Sequence, residues 1–184
     1  MTLTETPICN FGEKAKSFDL LSAANKKISL NDIKGEYGTL IMFICNHCPY
    51  VKAVVKDIVE DAKYLETLGV KSVAIMSNDV KNYPEDSFKN MVSFSKLHNF
   101  SFPYLIDETQ KIAKEYGAVC TPDFFGYNKN LELQYRGRIR ELKNLKPVGK
   151  GNSDLRIAMQ LIATSGKGPK NQIPSMGCNI KWFK

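Results

Sequence analysis

The chain has 184 residues, 43% of them hydrophobic and 24% charged, which is typical of a soluble globular protein with a core of its own. The net charge is +7, and residues 129–184 carry 12 Lys and Arg against 3 Asp and Glu. This basic third of the chain predicts either a solvated face or a docking surface for an acidic protein. Because no nucleic-acid motif accompanies it, we expect no nucleic-acid partner. No window approaches the ~18 apolar residues of a membrane span, so we expect no membrane partner. The N-terminus lacks a signal-peptide pattern, so we expect a cytoplasmic protein. The length predicts one domain over residues 1–184.

Short apolar runs alternate with helical patterns, which predicts an α/β protein. A small hairpin is predicted over residues 18–30, and a buried strand over residues 39–44. A helix is predicted over residues 49–68, because apolar side chains recur there at intervals of three and four and Gly69 follows the end. The next strand is predicted over Val70–Met76.

The second half of the chain continues the alternation and ends in an irregular segment. The predicted elements are a helix over residues 84–98, a strand over 102–106, a short helix over 109–116, a hairpin that turns at 128–130, and a closing helix over 153–164. Residues 142–152, rich in Lys, Gly and Asn, predict a loop. The tail at 165–184 contains three Gly and two Pro and is expected to be irregular.

The most informative motif is Cys45-Asn46-His47-Cys48-Pro49, directly after the predicted strand at 39–44. Proline is preferred at a first helical position, so the following helix is predicted to begin at Pro49. A thiolate at that point is stabilised by unpaired N–H groups and by the positive end of the helix dipole. A Cys-x-x-Cys beside a βαβ pattern therefore predicts a thioredoxin-like redox site. Five cysteines, an odd number, argue against a disulfide-stapled secreted scaffold.

Four motifs together resemble the peroxiredoxin-like redoxins of the alkyl hydroperoxide reductase/thiol-specific antioxidant superfamily: Phe43-Ile-Cys-Asn-His-Cys-Pro-Tyr, Ala118-Val-Cys-Thr-Pro-Asp-Phe-Phe, Tyr135-Arg-Gly-Arg and Ser175-Met-Gly-Cys-Asn-Ile-Lys-Trp. The resemblance implies a thioredoxin-like fold, with a central mixed sheet flanked by helices and an N-terminal β-hairpin extension. It also implies a cis peptide between Thr121 and Pro122, facing the cysteines. Related redoxins often dimerise, so a homodimer is among the expectations.

The leading hypothesis for function is thiol–disulfide exchange without a cofactor. The resemblance to thioredoxin-like proteins assigns the attacking thiolate to Cys45 and the resolving thiol to Cys48. His47 is expected to lower a thiol pKa, and Pro49, Thr121 and Pro122 are expected to support the site. The expected partner is a disulfide or a thiol, on a protein or a small molecule.

Two other chemistries remain open at the same atoms. In a peroxiredoxin-type peroxidase, Cys48 would attack a hydroperoxide and Cys45 would resolve the sulfenic acid. Against this, Cys45 stands where that family pattern has Thr, and Pro122 where it has the pocket Arg. A copper or zinc protein would use the two cysteines with His47 or His98. We expect no metal.

Further candidates surround this pair. Cys120, two residues before Pro122, and Cys178, in the tail motif, are candidate additional redox thiols. A disulfide between these two is a further hypothesis, and a buried filler role for Cys120 is the alternative. Asn78 and Asp79, at the end of the strand at 70–76, are weaker candidates for the site, with a turn or helix-cap role as the alternative.

Overall fold

The structure is a computed structural model that describes residues 2–184. The helices of these residues are α1 (Pro49–Glu66), α2 (Phe88–Leu97), α3 (Lys111–Tyr116) and α4 (Asp154–Ser165), with one 3₁₀-helix over Pro84–Asp86. The strands are β1 (Leu3–Glu5), β2 (Asp19–Ser22), β3 (Lys27–Ser29), β4 (Gly38–Phe43), β5 (Val70–Met76), β6 (Tyr104–Ile106), β7 (Cys120–Thr121), β8 (Asp123–Asn128), β9 (Leu133–Tyr135), β10 (Leu142–Lys143), β11 (Lys146–Pro147) and β12 (Met176–Asn179).

A seven-stranded mixed sheet forms the centre of the fold, in the order β3-β2-β6-β5-β4-β8-β9. The central strands β4, β5 and β6 run parallel, and the outer pairs are antiparallel. This arrangement confirms the expected thioredoxin-like fold. The N-terminal hairpin is the β2–β3 pair, which turns at Asn25 in the left-handed conformation and extends the central sheet along β6.

The core lies on both faces of this sheet, because every residue of β4 is buried. Leu40 and Met42 pack with helices α1, α2 and α4 on one face. Ile41 and Phe43 pack with α3 on the opposite face. Such a continuous apolar run is what a parallel strand needs when both of its faces are covered. The sheet therefore holds the end of β4, where the cysteine motif begins, rigidly between the two layers.

The helix predicted over residues 84–98 is interrupted in the structure. Pro84–Asp86 form one 3₁₀ turn, Ser87 is extended with a ψ of 154°, and α2 begins at Phe88. The interruption directs the Asp86 carboxylate into the protein, where it is fully buried against the cysteine motif. The helical periodicity of the sequence carried no sign of this break.

The tail, expected to be irregular over residues 165–184, contains strand β12. It pairs antiparallel with β1 on one side and with β7 on the other, so that a separate three-stranded sheet forms in the order β1-β12-β7. The loop expected over residues 142–152 contains the two-stranded β10–β11 hairpin. No helix within residues 2–184 combines the length and the apolar character that crossing a membrane requires.

Candidate active site

The cysteine motif lies where β4 passes into α1. Cys45 follows the end of β4 by two residues, Cys48 is the N-cap residue of α1, and Pro49 occupies the first turn as predicted. Both thiols are buried, with 1% and 0% of their surfaces exposed. Because the helix begins at Pro49, the unpaired N–H groups of its first turn lie at Cys48 rather than at Cys45.

Thr121 faces both thiols from the opposite side of the site. Its hydroxyl oxygen is 3.4 Å from Cys45 Sγ, and its carbonyl oxygen is 3.1 Å from Cys48 Sγ and accepts the S–H when that thiol is protonated. The peptide between Thr121 and Pro122 is cis, as the resemblance implied. The structure thus brings together all six residues expected at the pair, including His47, which lies 3.9 Å from Cys45 Sγ through its Nδ1.

The two thiols differ in acidity, and the lower pKa belongs to Cys48 rather than to Cys45, the thiol expected to attack. The Cys45 S–H is the largest influence that lowers the pKa of Cys48 to about 5, against the opposing effect of burial. Hydrogen bonds from the Thr121 hydroxyl and the Val51 backbone N–H add to this lowering. Burial raises the pKa of Cys45 well above its usual range, and the charges of Asp86 and Cys48 raise it further. These donors favour a thiolate on Cys48 despite the nearby Thr121 carbonyl oxygen.

A buried carboxylate, Asp86, organises the loop between the two cysteines. Its Oδ1 accepts the backbone N–H groups of Asn46 and His47, at 2.8 and 3.3 Å. Its Oδ2 is 2.6 Å from His47 Nδ1 and accepts a hydrogen bond from Asn78 Nδ2 at 2.8 Å. All four contacts fall on one side chain with no exposed surface, so Asp86 determines where the loop lies.

This network also sets the charge of the site. The hydrogen bond to Asp86 is the main reason that the pKa of His47 is raised, which favours the imidazolium form. Burial opposes ionisation of Asp86, but the hydrogen bonds from His47 and Asn78 outweigh it and its pKa is lowered. The His47 ring also stacks on Tyr83, with 5.7 Å between centroids. A ring whose imidazolium form is favoured is thereby held beside the thiols.

Sequence reasoning missed Asp86 and Tyr104 and placed Asn78 only as a weak candidate. Tyr104 donates its hydroxyl to Asn46 Oδ1 at 2.9 Å, and Asn78 also accepts the backbone N–H of Lys181 at 2.9 Å. Asp86 follows a proline in a helical pattern, and an acidic residue there is expected in any helix start. The sequence therefore offered no signal that separates this carboxylate from a surface one.

The two additional thiols lie on opposite faces of a strand pair. In the register of β7 and β12, Cys178 is opposite Thr121, and Cys120 is opposite Asn179. Adjacent residues of a strand point to opposite faces, so Cys178 faces the side of Thr121 and Cys120 faces away from it. Cys178 is hydrogen-bonded with Cys48, whereas the Cys120 S–H points to the Pro122 carbonyl oxygen at 3.6 Å. The register does not favour a disulfide between Cys120 and Cys178.

Three side chains of the described residues could hold a metal ion together. One ligand atom each of Cys45, His47 and Asp86 lies within 4.8 Å of the others. In the structure, however, the His47 Nδ1 and the Asp86 carboxylate are hydrogen-bonded to each other. His98, the other candidate ligand, packs against Phe94 with 4.5 Å between ring centroids and joins no such cluster within residues 2–184.

The arginines of the basic C-terminal third are held by carboxylates. Arg136 is buried, pairs with Asp123 at 3.0 Å and stacks on a phenylalanine ring. Arg138, Arg140 and Arg156 pair with acidic side chains in the same way. The exposed positive charge of this region therefore comes largely from lysines, among them Lys143 and Lys146 in the hairpin of β10 and β11.

Comparisons with known proteins agree with this fold. The sequence model of the AhpC/TSA family matches residues 11–142. A comparison with curated proteins finds no match. Among solved structures, the chain is similar to an uncharacterized conserved protein from Geobacillus kaustophilus, with 39% identity, a TM-score of 0.94, and coverage of 100% of this chain and 97% of that one.

A second similar structure is that of a hypothetical protein from Sinorhizobium meliloti 1021, with 34% identity, a TM-score of 0.91 and 98% coverage of both chains. A more distant one is the thioredoxin domain of a thiol-disulfide oxidoreductase from Bacteroides vulgatus, with 14% identity and a TM-score of 0.58, over 73% of this chain and 89% of that one. At that identity, the likeness is one of fold alone.

Proposed function

This chain belongs to the AhpC/TSA family, and from that premise we propose that it is a thiol–disulfide oxidoreductase in which Cys48 attacks and Cys45 resolves. The observation that carries the proposal is the unequal acidity of the two thiols. Cys48 caps α1 and accepts hydrogen bonds from its neighbours, which lowers its pKa to about 5, whereas the pKa of Cys45 is raised. The thiolate is the nucleophile in exchange, so the more acidic thiol reacts first near neutral pH.

The reaction proceeds in two balanced steps. The Cys48 thiolate attacks one sulfur of a client disulfide, and the other client sulfur leaves as a thiolate that takes up a proton. Cys45 then loses its proton and attacks Cys48 Sγ, which forms the Cys45–Cys48 disulfide and releases the second client thiol. The client gains two electrons and the pair loses two. An external dithiol reduces the pair again.

His47 and Asp86 support these steps without reacting. The positive imidazolium attracts the Cys48 thiolate, and its own pKa is raised partly by that charge. The buried Asp86 carboxylate holds the imidazole by a 2.6 Å contact and, together with the charge of Cys48, discourages ionisation of Cys45. The contribution of Cys48 disappears once the mixed disulfide has formed. His47 and Asp86 are therefore positioning residues in this mechanism.

A groove beside the thiols offers a place for the client. It has a volume of about 470 Å³ and is lined by Tyr50, Pro122 and Met176, each within two residues of Cys48, Thr121 or Cys178. Apolar side chains such as Val54 and Ile139 continue it. Because the arginines at its rim are already paired with carboxylates, the groove suits an apolar stretch of a polypeptide better than an anionic small molecule.

The test is a redox titration with thiol trapping. The protein is equilibrated in mixtures of reduced and oxidised glutathione, alkylated in acid and mapped by mass spectrometry. We expect a reversible Cys45–Cys48 disulfide that titrates between about −270 and −120 mV, the range of exchange proteins. Cys45→Ser/Cys178→Ser, which removes both thiols that lie beside Cys48, should trap a mixed disulfide on Cys48. A mixed disulfide that accumulates instead on Cys45 in Cys48→Ser would show that the roles are reversed.

Cys9→Ser supplies the matched control for loss of one thiol. Cys9 packs in the cluster on the other face of the sheet, and burial raises the pKa of its thiol to about 11. Its replacement should leave the Cys45–Cys48 disulfide and its potential unchanged.

A thiol peroxidase is the second candidate, because the lowered pKa of Cys48 also suits attack on a peroxide. Against it, no hydrogen bond or ion pair within residues 2–184 joins an arginine to Cys45 or Cys48, so no guanidinium is held at the thiols to orient a peroxide. Dimedone labelling of Cys45→Ser after addition of hydrogen peroxide tests this candidate. Sulfenic acid on Cys48 that forms faster than exchange with glutathione disulfide would favour the peroxidase.

A further inference from the structure

Strand β12 is built into the edge of the site. It pairs with β7 so that Cys178 lies opposite Thr121, the residue that contacts both active-site thiols. Before it, the Ser175 hydroxyl donates to the Pro122 carbonyl oxygen at 2.8 Å. After it, Ile180 donates its backbone N–H to the Val119 carbonyl oxygen at 3.2 Å. The tail is thus held along the whole edge of β7.

The close approach of β12 depends on Gly177. A Cβ at this position would lie 2.1 Å from the Thr121 carbonyl oxygen, which is shorter than any real contact. Glycine therefore lets the strand lie against Thr121 and brings the next residue, Cys178, to the thiols. Cys178 is buried with 3% of its surface exposed, belongs to the same apolar cluster as Cys45 and Cys48, and hydrogen-bonds with Cys48.

From this placement we infer that Cys178 is a third redox thiol, which exchanges with the active-site pair to form a Cys48–Cys178 disulfide. The inference rests on the proposed function, because it needs Cys48 to be oxidised first. In this inference, the tail takes part in the redox reaction as well as in the fold.

The rearrangement conserves electrons. Starting from the Cys45–Cys48 disulfide, the thiolate of Cys178 attacks Cys48 Sγ. The bond between Cys45 and Cys48 breaks, the bond between Cys48 and Cys178 forms, and Cys45 leaves as a thiolate that takes up the proton lost by Cys178. The protein contains one disulfide before and after, so no further oxidant is required.

The negative charge of the Cys48 thiolate delays attack by Cys178 until the active-site pair has been oxidised. In the reduced protein, burial is the main cause that raises the pKa of Cys178 to about 12, and its interactions with Cys48 raise it further. Once Cys48 is in a disulfide, its negative charge is gone and that second cause disappears. Cys178 therefore becomes a better nucleophile only after the active-site pair has been oxidised.

The strand also covers the edge of β7 to which a peptide could otherwise add as a strand. Antiparallel addition of a peptide to β7 uses the N–H and C=O groups that β12 occupies. A client that pairs there must displace β12, and Cys178 leaves the site with it. The tail would therefore compete with polypeptide clients, and its disulfide with Cys48 would fix the closed arrangement.

The experiment maps disulfides in the full-length chain. Cys45→Ser, which retains both Cys48 and Cys178, is oxidised with glutathione disulfide, quenched in acid, alkylated and digested. We expect a peptide pair joined by Cys48 and Cys178, and loss of that pair in Cys45→Ser/Cys178→Ser. Cys48 recovered as its glutathione adduct in Cys45→Ser, with Cys178 alkylated, would overturn the inference. Cys45→Ala, treated in the same way, guards against a folding defect specific to serine.

Two further variants separate this inference from the proposed function. Cys178→Ser retains the active-site pair, so a missing Cys45–Cys48 disulfide there, with native circular dichroism, counts against the proposed function alone. Cys120→Ser removes the neighbouring thiol that faces away from Thr121. Its disulfide map should match that of the unmodified protein, and a map that lacks the Cys48–Cys178 pair would overturn the assignment of Cys178.

Discussion

Replacing Asp86 by asparagine removes the negative charge at the centre of the buried hydrogen-bond network but keeps the shape of the side chain. The amide oxygen can still accept the backbone N–H groups of Asn46 and His47. The amide nitrogen then takes the place of the oxygen that faces His47 Nδ1 and Asn78 Nδ2. The new amide nitrogen and Asn78 Nδ2 are then two donors that face each other, and the His47 imidazolium loses the carboxylate that it was paired with.

The magnitude follows from these contacts. A buried donor left without an acceptor costs about 1–3 kcal/mol, and a hydrogen bond to a charged group contributes about 1.5–3 kcal/mol. Because Asp86 has no exposed surface, water does not replace the lost partners. We therefore expect Asp86→Asn to lower the free energy of unfolding by about 3 kcal/mol near pH 6.

The pH dependence has a definite sign. The pKa of His47 is raised above its ordinary 6.5, so its contribution is fully present below that value and is lost as the pH rises through the folded-state pKa. The pKa of Asp86 is lowered below 3.8, so its contribution is present above that value and is lost only as the pH falls through the folded-state pKa. The cost of Asp86→Asn should therefore be larger at pH 6 than at pH 9.

Urea unfolding at these two pH values measures the cost, and NMR of the histidine ring protons measures its cause. The chain has 2 histidines, which makes the second an internal control. Burial lowers the pKa of His98, and Asp86→Asn should leave that titration unchanged while the pKa of His47 falls. Repeating the unfolding in a Cys48→Ala background removes the contribution of the thiolate. An unchanged pKa of His47 in Asp86→Asn would refute the reasoning.

Three other substitutions test separate parts of the structure. Cys45→Ala removes the main donor to the Cys48 thiolate, so the midpoint of Cys48 alkylation by iodoacetamide should rise from about pH 5. An unchanged midpoint would mean that the remaining donors, Thr121, Val51 and Cys178, stabilise the thiolate without Cys45. Arg136→Met leaves the buried Asp123 carboxylate without its partner and should cost about 3–5 kcal/mol in urea unfolding, with no change in the potential of the active-site disulfide. Gly177→Ala forces β12 away from a carbonyl oxygen of β7 and should speed alkylation of Cys48 in the native protein, whereas an unchanged rate would show that β12 does not cover the thiol.

Sequence reasoning located the elements whose cause is local. The apolar run before Cys45 placed β4 within a few residues of its observed ends. The three- and four-residue spacing after Pro49 and the glycine at position 69 did the same for α1. The meeting of Thr121 with the cysteines came from the resemblance to known redoxins. Nothing in the spacing alone relates residues that are 76 positions apart.

The parts that the sequence left open depend on long-range contacts. Asp86 enters the site because the helix breaks at Ser87, the N-cap residue of α2. Serine is a preferred N-cap residue, but this local signal does not reveal that the carboxylate before it turns into the protein. Strand β12 forms because β1 and β7 offer it two edges, while its own residues, Met176–Asn179, carry no strand pattern. Both features bring distant polar groups to the thiols, which propensity does not predict.

The order of the cysteines in the chain does not decide which one reacts first. The expectation for Cys45 follows from the resemblance to thioredoxin-like proteins, in which the first cysteine of the motif is the exposed attacker. Here α1 begins after the second cysteine, and Cys48 accepts the N–H of Val51 while Cys45 remains in the loop that Asp86 holds. Exchange and peroxide reduction would both start from this same thiolate. What separates them is the bond that this thiolate breaks in the first step. No arginine within residues 2–184 is bonded to Cys48 to stabilise an oxygen that departs from a peroxide, which favours attack on a disulfide.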